Sequence, residues 1–255
     1  MGYGGNVKRK ASDANEGAST ASAGVVSRRG CAGKAKLLPA TAPLEREEAY
    51  WTNAPGASLA GVDEAGRGPL AGPVVAGAVT MSPERARALH DGELAGLNDS
   101  KKLTEAERER FFEVLTHDSS VGWAVGVATA KEIDFYNILR ATHIAMRRAL
   151  EALPDGLPSF AFVDGLPVKG LPIPHEAIVK GDSRSFLIAA ASILAKVTRD
   201  RYLSKMETRF PGYGFAVHKG YPTAAHLEAL RKLGPCEEHR RTFGPVSAVL
   251  NPPMI

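Results

Sequence analysis

The apolar run Leu59-Ala60-Gly61-Val62 ends in two adjacent carboxylates, Asp63 and Glu64, and passes at once into Ala65-Gly66-Arg67-Gly68-Pro69-Leu70-Ala71-Gly72-Pro73. Buried charge is costly unless it is paired or bound to a cation, so two neighbouring acids leaving a buried strand read as a cation site rather than a folding device. Glycines beside them let backbone N–H groups approach a ligand, and Arg67 between them carries a rigid fork of donors suited to phosphate. A second apolar run, Val74-Val75-Ala76-Gly77-Ala78-Val79, follows closely enough to pair with the first in a hairpin-like arrangement.

Beyond this pair the pattern turns to alternating helix and strand. Thr104 with Glu107 three residues later forms a capping box that starts a helix through about Leu115. Val121 to Ala128 fits a third strand. Asn137 to Leu153 repeats apolar residues at helical spacing, and Phe160 to Val163 is a short buried-type strand ending at Asp164. Ala177 to Val179 offers one more strand, ending near Asp182, before helices from about Ser185 to Phe210 and from Thr223 to Leu233.

The net charge of +4 looks like a nucleic-acid signal until it is divided by region. Residues 1–40 hold seven basic and two acidic residues, a surplus of +5, which leaves −1 for everything else. That segment is rich in Ala, Gly and Ser with no apolar period, so residues 1–48 are expected to be a disordered basic extension whose removal leaves stability and activity nearly unchanged. Lys8-Arg9-Lys10 argues weakly for targeting, because Asp13 and Glu16 are out of place in a transit peptide. Glu45 to Trp51 is expected to form a helical turn packed on the domain that follows, 49–255. No stretch approaches the roughly 18 apolar residues of a membrane span, and no signal-peptide core follows the start, so a cytoplasmic protein without membrane association is expected. Cys31 and Cys236 lie far apart in unlike contexts and are expected to be free thiols.

Asp63, Glu64, Asp164 and Asp182 each lie at or just past the end of an apolar strand and beside a glycine or turn. Ligands gather at strand ends in open α/β sheets, so these four acids are candidates for a common site. Oxygen ligands without Cys or His suit hard cations such as Mg²⁺ or Mn²⁺, which bridge carboxylates to a phosphate, and two such ions would serve hydrolysis of a phosphodiester. Taken singly each acid has a duller reading as a turn former or cap, and Asp182, just before a helix, is the best case for it. A dinucleotide fingerprint at Gly66-Arg67-Gly68-Pro69-Leu70-Ala71 fails on context, because a β run rather than a helix follows. There is no Walker loop.

Basic residues are clustered more than their sum suggests. Lys180 to Arg209 holds seven basic residues against three acids, mostly readable as a solvated helix face. Lys180 and Arg184 flank Asp182, and Lys101-Lys102 lies in a polar loop, so all four read either as solvated charge or as phosphate contacts. Tyr221, in His218-Lys219-Gly220-Tyr221-Pro222, reads from composition as a core ring rather than a stacking platform.

Read together, these segments resemble the bacterial ribonuclease HII family. The resemblance is carried by Gly61 through Val74, Asn98-Asp99-Ser100-Lys101-Lys102-Leu103, Val163-Asp164-Gly165, Lys180-Gly181-Asp182, Ala189 through Asp200 and His218-Lys219-Gly220-Tyr221, over about residues 58 to 247. It implies an RNase H-like α/β fold: a mixed five-stranded sheet flanked by helices, with a C-terminal helical part. It also implies a monomeric endonuclease that hydrolyses the RNA strand of RNA/DNA hybrids and cuts 5′ of single ribonucleotides embedded in duplex DNA, leaving 5′-phosphates. The metal ligands carry over to Asp63, Glu64, Asp164 and Asp182, with two Mn²⁺ or Mg²⁺ ions. Gly66, Arg67 and Gly68 correspond to the turn that senses the ribose 2′-hydroxyl, and Tyr221 to a ring that stacks on the next deoxyribose, which reverses the composition-based reading of Tyr221. Ser100, Lys101 and Lys102 match a backbone-contacting loop, and Lys180 a basic neighbour of the ligands. Two rivals are a catalytically silent nucleic-acid-binding module, against which all four acids argue, and a nuclease of the same superfold acting on DNA alone, against which the Gly-Arg-Gly turn and Tyr221 argue.

Overall fold

The structure, a computed structural model, describes residues 40–252. Most of the expected extension, with Cys31 and Lys8-Arg9-Lys10, lies outside the described residues.

Five strands form one mixed sheet: β1 (Leu59–Ala65), β2 (Val74–Met81), β3 (Val121–Ala128), β4 (Phe160–Asp164) and β5 (His175–Ile178), in the spatial order β3-β2-β1-β4-β5. β1 pairs antiparallel with β2 across the short connection 66–73, and β2 pairs antiparallel with β3 across a longer one that carries two helices. β4 lies parallel to β1 and to β5. The last strand starts and ends earlier than the expected Ala177 to Val179, because its pairing with β4 runs from His175 to Ile178 and the chain then leaves the sheet at the exposed Val179.

Strand alternation sorts the core into two layers. Leu59, Val79 and Phe162 face the long helix α6 (Phe186–Arg209), whereas Ala60, Val62, Ala78, Ala161 and Val163 face α5 (Ile138–Glu151). Every residue of α6 from Phe186 to Ala195 is buried, which explains why its first half reads as apolar all round. The helix sits flush on the sheet: a Cβ at Gly61 would come within 2.1 Å of the Leu187 carbonyl carbon.

Local signals set most helix starts. The Thr104–Glu107 capping box opens α3 (Glu105–His117) as expected, and the expected helix from Thr223 is α8 (Ala224–Leu233), capped by the Thr223 hydroxyl. Four short helices were not anticipated individually: α2 (Pro83–Asp91), capped by Ser82, α4 (Ala130–Tyr136), opened by a second capping box at Thr129 and Glu132, and two in the C-terminal part, Phe215–His218 and Gly244–Leu250. Each spans at most two and a half turns, too short for a periodic signal. Asn137, at φ 68°, separates α4 from α5 and caps the latter. The helices α7 (Phe215–His218), α8 and α9 (Gly244–Leu250) follow α6, and small apolar clusters around Leu70, Ala71 and Leu203 seat this C-terminal helical part.

The expected boundary at residue 48 is too late. Helix α1 (Glu45–Asn53) is present, as expected, but the chain up to residue 48 is also packed: Ala42, before the helix, and Glu47, in its first turn, are fully buried, and Leu44 nearly so. Ala42 N–H donates to Leu97 O at 2.7 Å, and Asn98 Nδ2 donates to Ala40 O at 2.6 Å. Glu47 Oε1 accepts from the Ser185 hydroxyl (2.6 Å) and from Leu187 N–H (3.0 Å). Three buried side chains, one of them an acid, leave no hydrophobic period to find.

Candidate active site

The four acids come from three neighbouring segments. Asp63 and Glu64 lie at the end of β1, Asp164 closes β4, and the parallel register that sets Val62 opposite Val163 brings the two strand ends side by side. Asp182 occupies a single 3₁₀ turn, Gly181–Ser183, ahead of α6. The Gly181 N–H donates to Asp164 Oδ1 at 2.6 Å and ties that turn to the end of β4. Asp182 does not cap α6; the Ser185 hydroxyl does, accepting from Ile188 N–H at 3.2 Å.

Their electrostatics register the crowding. Asp63 is only 6% exposed, and burial pushes its carboxyl well above the usual carboxylate range, with Glu64, Asp164 and Asp182 pushing it further. Glu64 is raised by burial and by Asp164, partly offset by Arg67, whose guanidinium lies 3.5 Å away. Asp182 is pushed up to about 6, by burial first and then by Asp99 and Asp164. Burial lowers the Lys101 ammonium, but Asp99, Asp182, Asp63 and Asp164 outweigh that and hold it above its ordinary value. The donor set is all oxygen and carries excess negative charge, which fits a hard divalent cation. As the side chains lie, no three His, Cys, Asp or Glu residues among those described are already closed around one position.

Beside the acids, the Gly66-Arg67-Gly68 turn faces Tyr221. A Cβ at Gly68 would stand 3.6 Å from Tyr221 Cε1, so the ring lies against the turn. The ring is 43% exposed, which overturns the composition-based core reading. Its backbone is pinned, with Tyr221 N–H donating to His218 O (2.9 Å) and Leu70 N–H to Gly220 O (2.8 Å).

The sequence profile described as Ribonuclease HII matches residues 60–245. The chain belongs to the ribonuclease HII family. It is thus a metal-dependent endoribonuclease, a hydrolase of the RNA strand in RNA/DNA hybrids. Ribonuclease HII of Polynucleobacter necessarius subsp. necessarius (strain STIR1) is 51% identical over 195 residues, 75% of this chain and 95% of its own. The Ribonuclease HII of Nitrosococcus oceani is 50% identical over 199 residues, 78% and 94% of the two chains. Among solved structures, ribonuclease H2 from Pyrococcus horikoshii OT3 superposes with a TM-score of 0.62 at 29% identity, covering 75% of this chain and 96% of that one. The RNase HII-like fold, with its mixed sheet and flanking helices, is therefore the one expected.

The remaining ribonuclease HII positions are arranged unequally. Lys101 lies within the field of the acids. Ser100 is buried, and its carbonyl accepts from Arg108 Nη1 at 3.0 Å. The exposed Lys102 donates to Asn98 Oδ1 at 3.1 Å. Lys180 adopts a left-handed conformation, φ 57°, at the entry to the Asp182 turn. Arg184 reaches back to Val179 O at 3.1 Å and braces that turn rather than joining the acids. A groove of about 820 Å³ opens from Glu64 and Asp164 along α5, with Arg67, Arg140, His143 and Lys169 on its walls. Burial lowers the His143 imidazole, and Arg67, His175 and Lys169 lower it further, as expected in a positive field. Among the described residues no helix is long and apolar enough to cross a membrane.

Three features of this ribonuclease HII were missed from sequence. Asp99, within a segment noted for Ser100, Lys101 and Lys102 but not for its acid, is a fifth acid beside Asp182. Arg199 was counted with the solvated helix face although it is buried; its spacing from Ala195 and Leu203, both buried four residues away, carried that signal. Arg240 is also buried, and no local pattern announces it.

Proposed function

We propose that this ribonuclease HII incises 5′ of a single ribonucleotide embedded in duplex DNA, in addition to cutting longer hybrids, and leaves a 5′-phosphate. Asp63, Glu64, Asp164 and Asp182 are assigned as ligands for two divalent ions, Mn²⁺ or Mg²⁺. When bound, such ions supply an activated water and stabilise the leaving oxygen. The observation that carries the reading is the convergence of acids from three segments, Asp63 and Glu64 at the end of β1, Asp164 at the end of the adjacent β4 and Asp182 on the turn before α6, where burial and like charge raise the Asp63, Glu64 and Asp182 carboxyls and a cation would compensate.

The protein's own groups divide the remaining work. The Gly181 N–H fixes the orientation of Asp164, and Lys101 offsets part of the negative charge without closing the site. The Gly66-Arg67-Gly68 turn reads the ribose, and Tyr221 stacks on the sugar that follows it. Ser100, Lys101, Lys102, Lys180, Arg184 and the groove beside α5 contact phosphates of the duplex, which positions substrate without reading sequence. The enzyme acts as a monomer in the cytoplasm.

The test is incision of a labelled duplex holding one ribonucleotide, in Mn²⁺ or Mg²⁺, by the wild type and by Asp164→Asn. Loss of on the order of a hundredfold in turnover, with folding and duplex binding retained, supports the assignment. Near wild-type cleavage by Asp164→Asn would exclude it.

A further inference from the structure

Arg240 and Arg199 are the two largest fully buried side chains among the described residues, and neither forms a salt bridge there. Their donors go to carbonyl oxygens. Arg240 donates from Nη2 to Gly66 O (2.6 Å), from Nη1 to Arg67 O (3.0 Å) and Pro69 O (2.7 Å), and from Nε to Gly72 O (3.0 Å). Its backbone N–H donates to Leu70 O at 2.8 Å. Arg199 donates from Nη2 to Ala71 O, from Nε to Pro73 O and from Nη1 to Lys219 O, each at 3.0 Å. Every carbonyl from Gly66 to Pro73 except that of Gly68 is therefore held by one of these two residues.

This matters because backbone pairing in the segment is limited to one isolated bridge, Ala71 with His239, which leaves the peptide planes of Gly66 to Pro69 to be fixed by these side chains. In a trans peptide the C=O of one residue and the N–H of the next point in opposite directions. Drawing the Gly66 and Arg67 carbonyls onto Arg240 turns the N–H groups of Arg67 and Gly68 away from the buried guanidinium, and among the described residues neither N–H has an acceptor. Gly66 closes the packing from the other side: at φ 100° it has room for no side chain, since a Cβ would lie 2.1 Å from Arg199 Nε. The Lys219 bond of Arg199 and the bond from Leu70 to Gly220 then dock the same segment against the Tyr221 loop.

We propose that Arg240 and Arg199 are positioning residues for junction recognition, setting the amide donors of Arg67 and Gly68 toward substrate and fixing their distance to Tyr221. Support of the fold alone does not need two buried cations without carboxylate partners, because well-packed apolar side chains serve that purpose as well or better. A planar fork of five donors is what holding several carbonyls at fixed angles requires, and lysine lacks it. The proposal rests on the reading that the Gly66-Arg67-Gly68 turn contacts the ribose.

The experiment compares full-length wild type with Arg240→Lys by amide hydrogen exchange and by incision of a duplex holding one ribonucleotide in Mn²⁺. Arg199→Lys, which disturbs three carbonyls rather than four, serves should Arg240→Lys not fold. Exchange at the Leu70 and Gly72 amides is expected to rise by about tenfold or more while β1 and β4 stay protected, and kcat is expected to fall by about tenfold or more with little change in KM. Lost incision with an unchanged turn, or exchange rising equally throughout the sheet, would overturn the positioning role. A loosened turn with full incision would instead show that the turn does not read the ribose, removing the reading on which the proposal stands.

Discussion

His239 Nε2 lies 3.1 Å from His226 Nε2, and the flanking bonds fix which ring donates. His226 Nδ1 is 2.9 Å from Tyr221 O and must be the donor there, so its Nε2 accepts from His239, whose Nδ1 in turn accepts from Cys236 N–H at 3.1 Å. The chain of bonds from Cys236 through the two rings to Tyr221 is complete only while both rings are neutral, since each ring must present one acceptor nitrogen. Burial, helped by His226, lowers His239 to about 4. The unfolded chain takes up this proton near pH 6.5 and the native one does not, so the stability it contributes is intact above that pH and is lost as pH falls toward about 4. Melting curves between pH 7.5 and 4.5 are expected to show a steeper acid decline for the wild type than for His239→Leu. Parallel declines would refute the assignment.

Tyr221→Ala is expected to reduce incision at a single embedded ribonucleotide by about tenfold or more, since stacking is worth ~1–3 kcal/mol. Tyr221→Phe keeps the face against Gly68 and should keep much of the rate. A long hybrid should suffer less from either change, because its next sugar carries a hydroxyl and gains less from the ring. Equal losses on both substrates would make Tyr221 a scaffold residue.

Asp63→Asn removes a buried charge from a cluster of like charges. In the absence of divalent ions it should melt higher than the wild type, by about 2–4 °C for each kcal/mol of repulsion relieved. Adding Mn²⁺ should raise the wild-type midpoint more than that of the variant, and cleavage by the variant should fall by about a hundredfold or more. A variant that melts lower without metal would show that the acids are not in conflict.

Deletion of residues 1–36 should leave melting and cleavage unchanged, whereas deletion of 1–48 removes Ala42, Leu44 and Glu47 from the core and should lower the midpoint markedly. The same contacts can be probed singly. Burial raises the Glu47 carboxyl, and its Oε2 has no partner, so Glu47→Gln should be tolerated. Glu47→Ala strands the Ser185 hydroxyl and the Leu187 N–H and should cost about 1–3 kcal/mol in denaturant titration. Equal melting of the two truncations would return the domain boundary to residue 48.

What was legible in the sequence follows the range of the forces involved. The apolar run before Asp63, the capping box at Thr104 and the helical starts placed near Asn137, Ser185 and Thr223 are local signals, and each element they define is present. The convergence of the acids was readable because strand ends are where loops can carry chemistry. Arg240 was invisible because its partners are carbonyls, which every residue possesses, some 170 positions earlier in the chain. Glu47 was misjudged for the opposite reason: an acid on a short helix normally faces water, and only the distant N-terminus of α6 makes its burial tolerable.

Because β4 joins β1 only by parallel pairing, Asp63 and Asp164 are about 100 residues apart in the chain although they end side by side. Long-range pairing of this kind forms late, after the entropy of closing the intervening loop has been overcome. A chain still being synthesised, with β1 folded and neither Asp164 nor Asp182 yet released, holds only two of the four acids together. If the four acids are the ligands proposed above, nuclease activity waits until the domain is nearly whole, and a partly made chain lacks the means to cut the hybrids around it.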